Sequence, residues 1–325
     1  MRNMFTFLTL LVTFYSYGQQ SYKRSLKLMG SHFEITVVAN NEEQANSYIN
    51  LAVAEIDRIE TLISSWDPSS QTSKINNNAG IKPVKVNEEL FNLIKRAIGI
   101  SKLTDGAFDI SYASMDNIWK FDGSMTDMPS EERIKASVNK VGYQNIVLDN
   151  NNFTVFLKKK GMKIGFGAIG KGYAADKAKT LLKQQGVVAG IINASGDINS
   201  WGKQPNGEEW KVAITNPMDK NKSFGFLPIL NGAVVTSGDY EKYVVFNGIR
   251  YTHIINPRTG YPASGIVSVT VFAPKAELAD ALATSIFVMG VETGIDRVNQ
   301  MPHVECIIID DSGNIHKSEQ IKIDK

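Results

Sequence analysis

Residues Lys163 to Ala178 read KIGFGAIGKGYAADKA, and how this stretch is read decides what kind of fold surrounds it. Gly165, Gly167 and Gly170 spell the dinucleotide pattern G-x-G-x-x-G. Gly165, Gly170 and Lys171 spell the P-loop pattern G-x-x-x-x-G-K, up to Gly172, where that pattern needs Ser or Thr. A dinucleotide fold also needs an acidic residue about 20 positions on, at the end of the next strand, to hold the ribose. The next strand, GVVAGII, runs into Asn193-Ala194 instead. Both parallel-sheet readings therefore lack one essential contact. What remains is a strand-to-helix turn whose free backbone N–H groups, helix N-terminus and lysine attract an anion.

The flanking sequence favours α+β over a repeating βαβ unit. HFEITVVA (His32 to Ala39) reads as a strand, and Asn41 with Gln44 three positions on marks a helix start whose apolar face continues to about Ser64. Trp66 to Gly80 reads as a polar loop. A helix is expected over Asn87 to Leu103, another after Pro129-Ser130-Glu131-Glu132, and another from Tyr173 to about Gln185. NNFTVFLKKKGMKIGF reads as a strand pair turning at Gly161, and YVVFNGIRYTHII as a hairpin around Asn247-Gly248. GIVSVTVFA alternates as a strand, and Cys306 lies in the apolar run VECIIID as a small buried hydrophobe. The expectation is a single large mixed domain, with antiparallel hairpins and packed helices, over residues 19–325.

Bulk properties exclude several classes. Of 325 residues, 43% are hydrophobic and 21% charged, and the net charge of +2 leaves no electrostatic footprint for nucleic acid. MRNMFTFLTLLVTFYSYG, residues 1–18, has the layout of a secretory signal peptide, with Arg2 ahead of an apolar stretch too short to span a bilayer. This predicts an exported, periplasmic protein whose membrane association is limited to that segment. No cysteine near the cleavage site offers a lipid attachment point, and one cysteine allows no internal disulfide.

The helix around ELADALATSIFVMG carries the strongest chemical signal. It is apolar nearly all round and should be buried, yet Asp280 lies within it, with Thr284 on the same face. A buried carboxylate needs a partner, and a hard cation with oxygen ligands would serve, as would a backbone cap or a lysine. His253 falls at the end of the second hairpin strand, at a rim where acid–base chemistry is feasible. Asp109 in GAFDIS and Asp197 in NASGD are further acidic candidates.

GAFDIS, GFGAIGKGYAAD, NASGD, THIINPRTG and ADALATSIFVMG together, in this order and approximate spacing, resemble the flavin transferase (ApbE) family, from LMGSHFEI at Leu28 to the last strand. The resemblance implies an α+β fold. It also implies an enzyme that uses FAD and Mg²⁺ to attach FMN, through a phosphoester, to a threonine of an acceptor protein, with release of AMP. It assigns Mg²⁺ to Asp280, Thr284 and the carbonyl of Ala168. Flavin contacts fall to Met29, Ala107, Phe108, Asp109, Lys171 and Ile254. Lys171 and His253 become the catalytic candidates, and the acceptor is expected in a membrane redox complex. Gly165, in the cofactor-binding loop, stands where many members are acidic, and Asn256 where many have Asp. Other readings of the same residues are an FAD pyrophosphatase, which uses water as acceptor, and a non-catalytic exported flavin-binding module.

Overall fold

The computed structural model describes residues 18–215, 223–229, 231–238 and 243–321. The expected signal peptide, Gly18 apart, lies outside them. Seven α-helices occur among the described residues: α1 (Glu42–Ile63), α2 (Gln71–Asn77), α3 (Glu88–Leu103), α4 (Glu131–Ser137), α5 (Gly170–Gln184), α6 (Ala276–Met289) and α7 (Val291–Asn299). The Asn41 side chain accepts the Gln44 N–H at 2.9 Å, and Gln44 in turn accepts the Asn40 N–H at 2.9 Å. One amide donor that an α-helix leaves unsatisfied is thus closed at the start of α1, and the residue before the cap is tied to the first turn. Ile49, Ala52, Ile56, Ile59 and Ile63 then recur three or four residues apart, which makes one buried stripe.

An eight-stranded sheet, antiparallel throughout, organises the chain. Its spatial order is Gln20–Leu28, Ser31–Ala39, Gly190–Ala194, Asp197–Trp201, Gly232–Gly238, Ile266–Ala273, Glu305–Asp310, Ile315–Lys317. Helices α1, α5 and α6 pack against it and share one continuous apolar core with Phe33, Ile35, Val37, Val269, Val271 and Cys306. The GIVSVTVFA strand, the buried cysteine and the α+β class all agree with the expectations from sequence. YVVF and IRYT pair as expected, with Phe246 opposite Ile249 across Asn247-Gly248. Three shorter sheets lie apart from the main one, this hairpin being one of them.

Two local expectations fail. Within Trp66 to Gly80, Gln71–Asn77 is helical, because Ser70 caps it by accepting the Ser73 N–H at 2.9 Å. Cap residues are also turn residues, so the segment reads as loop in the sequence. The strand pair at Gly161 is absent. Thr154–Leu157 instead pairs back to Ile146–Asp149, and forward to the two-residue strand Val84–Lys85. Gly161 does sit in a turn, but the chain beyond it joins no sheet.

Helix α6 has no side-chain cap of its own; α5 supplies one. Asp176 accepts the Ala276 N–H at 3.0 Å and the Glu277 N–H at 2.9 Å, and also takes Asn199 Nδ2 at 2.6 Å. One turn earlier, Gly172 donates its N–H to Asp280 at 3.1 Å. A Cβ on Gly172 would collide with the Ala276 carbonyl, so the two helices touch backbone to backbone at this residue. The hydroxyl that would complete a P-loop cannot fit there. Gly172→Ser is therefore expected to destabilise the protein by about 1–3 kcal/mol, the usual cost of overpacking, and calorimetry should register it as a drop in Tm of several degrees.

Candidate functional site

The chain enters the glycine loop with two side chains standing in for strand partners. Asn76 donates to the Ile164 carbonyl at 3.0 Å and accepts the Ile164 N–H at 2.8 Å. Ser114 does the same for Lys163, at 2.8 Å and 2.7 Å. Within the loop, Gly165 N–H donates to the Ile110 carbonyl at 2.9 Å, and Ile169 and Gly170 N–H both turn back to the Phe166 carbonyl. The Tyr112 hydroxyl lies against Gly167. The free loop amides expected from the sequence are thus mostly committed to the loop's own shape. Among the described residues, the amides of Phe166 and Ala168 are two of those left without a protein partner.

A cavity of about 990 Å³ opens over this loop. That volume lies at the upper end of the range for small-molecule sites. Ala107, Phe108, Asp109, Gly165, Ala168, Lys171, His253, Ile254, Asp280 and Thr284 all line it. Met29 does not: it occupies the turn between the first two strands, with its terminal methyl group beside Gly170 on the loop. Ala107 and Phe108 are buried in the wall. The carboxylate of Asp109 is fully used by backbone, accepting Ser111 N–H and Tyr143 N–H, each at 2.7 Å. Its side chain is a cap for the 3₁₀ turn Ile110–Ser114, and burial pushes its pKa upward.

Lys171 lies in the first turn of α5, where the macrodipole already favours anions. Its Nζ pairs with the buried carboxylate of Asp197, from the NASGD hairpin. That hairpin therefore aims the lysine. Asp280 is 5% exposed. Burial raises its pKa, opposed by the positive charge of Lys171 and by the Gly172 N–H. Thr284 follows one turn later on α6, and both side chains border the cavity with Ala168. His253 is exposed just past the hairpin strand Ile249–Thr252. Asn256, the departure from the family pattern, accepts the Arg258 N–H at 2.9 Å and so closes the NPRTG turn, a role open to Asp as well.

Several lining residues escaped the sequence reading. Trp66 and Asn76 come from the segment read as loop; Tyr112 lies within the 3₁₀ turn, Ser195 follows the strand Gly190–Ala194, and Thr236 and Ser237 lie near the end of Gly232–Gly238. No periodicity or motif marks them. Their positions depend on strands that meet only in three dimensions.

No three His, Cys, Asp or Glu side chains cluster as metal ligands among the described residues. The donors present are different: a buried carboxylate, a hydroxyl and a main-chain carbonyl, oxygen atoms all. One Asp280 oxygen takes the Gly172 N–H, which leaves the other free to bind a cation. This oxygen set suits a hard cation such as Mg²⁺.

Comparison with known proteins places the chain in a family. The model of the ApbE family matches residues 29–308. An FAD:protein FMN transferase of Klebsiella pneumoniae is 33% identical over 290 residues, which cover 89% of this chain and 89% of that one. The ApbE protein of Thermotoga maritima has a crystal structure that superposes with a TM-score of 0.84 at 34% identity, covering 92% and 97% of the two chains. The flavin transferase ApbE of Vibrio cholerae superposes at 0.79 with 27% identity, again covering 92% and 97%. The fold and its close relatives define a transferase. This chain belongs to the ApbE family.

Two outcomes test the site's construction. Asn76→Ala removes both clamps on Ile164, leaves a backbone donor and acceptor without their partner, and should cost about 1–3 kcal/mol in urea unfolding. For Asp280, a raised native pKa means that the folded state holds its proton more tightly than the unfolded chain. Stability of the metal-free protein then falls as pH rises from the ordinary carboxylate range through the raised native value. Asp280→Asn escapes that loss. Its Tm advantage over the wild type, measured in EDTA, should be small near pH 4 and widen toward pH 7.

Proposed function

We propose that this protein is a Mg²⁺-dependent FAD:protein FMN transferase that attaches FMN to a threonine hydroxyl of an acceptor protein and releases AMP. One observation carries the reading: Lys171, Asp280, Thr284 and the Ala168 backbone converge on a single cavity large enough for a dinucleotide. Membership of a family whose relatives are FAD:protein FMN transferases supports the transfer itself.

In the proposed reaction the acceptor oxygen attacks the phosphorus of the FMN half, the bond to the bridging oxygen of the diphosphate breaks, and that oxygen leaves with AMP. Lys171 neutralises a diphosphate oxygen, and the helix N-terminus behind it adds to the same field. His253, exposed at the rim where a protein can reach it, accepts the proton of the attacking hydroxyl, for a contribution on the order of 10²–10⁴-fold. Asp280, Thr284 and Ala168 would hold Mg²⁺, which supplies charge neutralisation for the leaving phosphate when bound. Ala107, Phe108 and Ile254 present apolar surface for a flavin ring. The buried Asp109 holds that wall in place.

The sequence layout of residues 1–18 supports export to the periplasm, with residues 19–325 as the transferase domain. We take the acceptor to be an exported part of a membrane redox complex. Purified protein incubated with FAD, Mg²⁺ and an acceptor domain bearing a modifiable threonine should add one FMN to that domain, read by intact mass. Asp280→Ala should lose the gain, and EDTA should reproduce the loss in the wild type. Free FMN and AMP with an unmodified acceptor would point to the hydrolase instead. Intact FAD would leave only a binding module.

A further inference from the structure

Tyr112 lies against the glycine loop in the cavity wall, and the activity proposed above gives it no task. A Cβ placed on Gly167 would overlap its hydroxyl oxygen, and one placed on Gly165 would lie 4.0 Å from it. The side chain therefore crosses both glycines, and the loop keeps this shape because neither carries a side chain. A phenol has one O–H to donate and lone pairs to accept with. No protein acceptor takes the O–H among the described residues, so it is left to offer to a ligand. The residue is 39% exposed, and its wall is shared with Lys171, Ala168 and Asp280.

A donor in this position suits one kind of ligand. A phenol keeps its proton at neutral pH. It thus presents a hydrogen-bond donor to an anion without becoming an anion itself.

We propose that Tyr112 contacts the substrate: its hydroxyl, lying against Gly167, donates to a diphosphate oxygen of FAD lying over the glycine loop. This rests on FAD being the substrate, as argued above.

The test is binding, which needs neither acceptor nor turnover. FAD and riboflavin, which lacks phosphate, are titrated by flavin fluorescence, in metal-free buffer and again with Mg²⁺. Tyr112→Phe keeps the ring and removes only the hydroxyl. It should weaken FAD by roughly tenfold or more, as loss of one hydrogen bond to a charged group predicts, and leave riboflavin affinity and Tm unchanged. Gly167→Ala, which keeps the hydroxyl but displaces it, should reproduce the FAD-specific loss. Unchanged FAD affinity in a folded Tyr112→Phe protein overturns the proposal, and so does an equal loss for FAD and riboflavin, because either means that the hydroxyl never met a phosphate. A wild type that fails to bind FAD at all removes the substrate reading beneath it, and the tyrosine's role with it.

Discussion

The backbone contact between α5 and α6 governs everything chemical in this molecule. Gly172 meets the Ala276 carbonyl with no room for a single methyl group, and two hydrogen-bonding arrangements hold the helices there: Gly172 N–H on Asp280, and Asp176 on the first amides of α6. Given the contact, Asp280 and Thr284 must face the glycine loop, and Lys171, one residue before Gly172, must face them. The main sheet supplies the platform, and α5 and α6 share its apolar core.

The same contact explains why the loop looks like two familiar motifs and behaves like neither. In a P-loop the residue after the lysine carries a metal-binding hydroxyl, and the loop amides cradle phosphate. Here the residue after the lysine is spent on helix packing, and the amides of Gly165, Ile169 and Gly170 are spent on turning the chain. The side-chain oxygen donors, Asp280 and Thr284, lie on a helix more than a hundred residues away in sequence. The lysine is aimed by Asp197 on a strand of the main sheet, rather than by the loop itself.

Much of this was legible in the sequence, and the reasons are specific. The caps at Asn41, Asn87 and Ser130, the Asn247-Gly248 hairpin and the alternation of GIVSVTVFA are local signals, and local signals survive folding. Asp280 stood out because a carboxylate in an all-round apolar helix has no inexpensive solution. Ten of the eleven residues expected at the site line one cavity; Met29 stands behind the loop instead. The illegible parts were those made by long-range substitution of side chain for backbone. Asn76 and Ser114 act as strand partners for Ile164 and Lys163, and no pattern of hydrophobicity announces that. The same substitution misled the reading of the segment after Gly161, whose apolar and basic alternation looks like a strand but finds no sheet to join.

The bond from Gly172 to Asp280 spans 108 positions, and the bonds from Asp176 to α6 span 100 and 101. Such separations set an order of assembly. A chain that emerges from its N-terminal end, whether from a ribosome or through a membrane, displays Lys171 and its glycine loop long before Asp280 exists to meet them. The proposed cation site cannot form in the interim, since the carboxylate and the hydroxyl arrive together on α6. The nascent protein is chemically silent until nearly all of it is out, and competence for ligand then comes as one late event. Loop closure over so many residues is slow compared with helix formation. Refolding followed by a flavin signal should lag behind refolding followed by helix content.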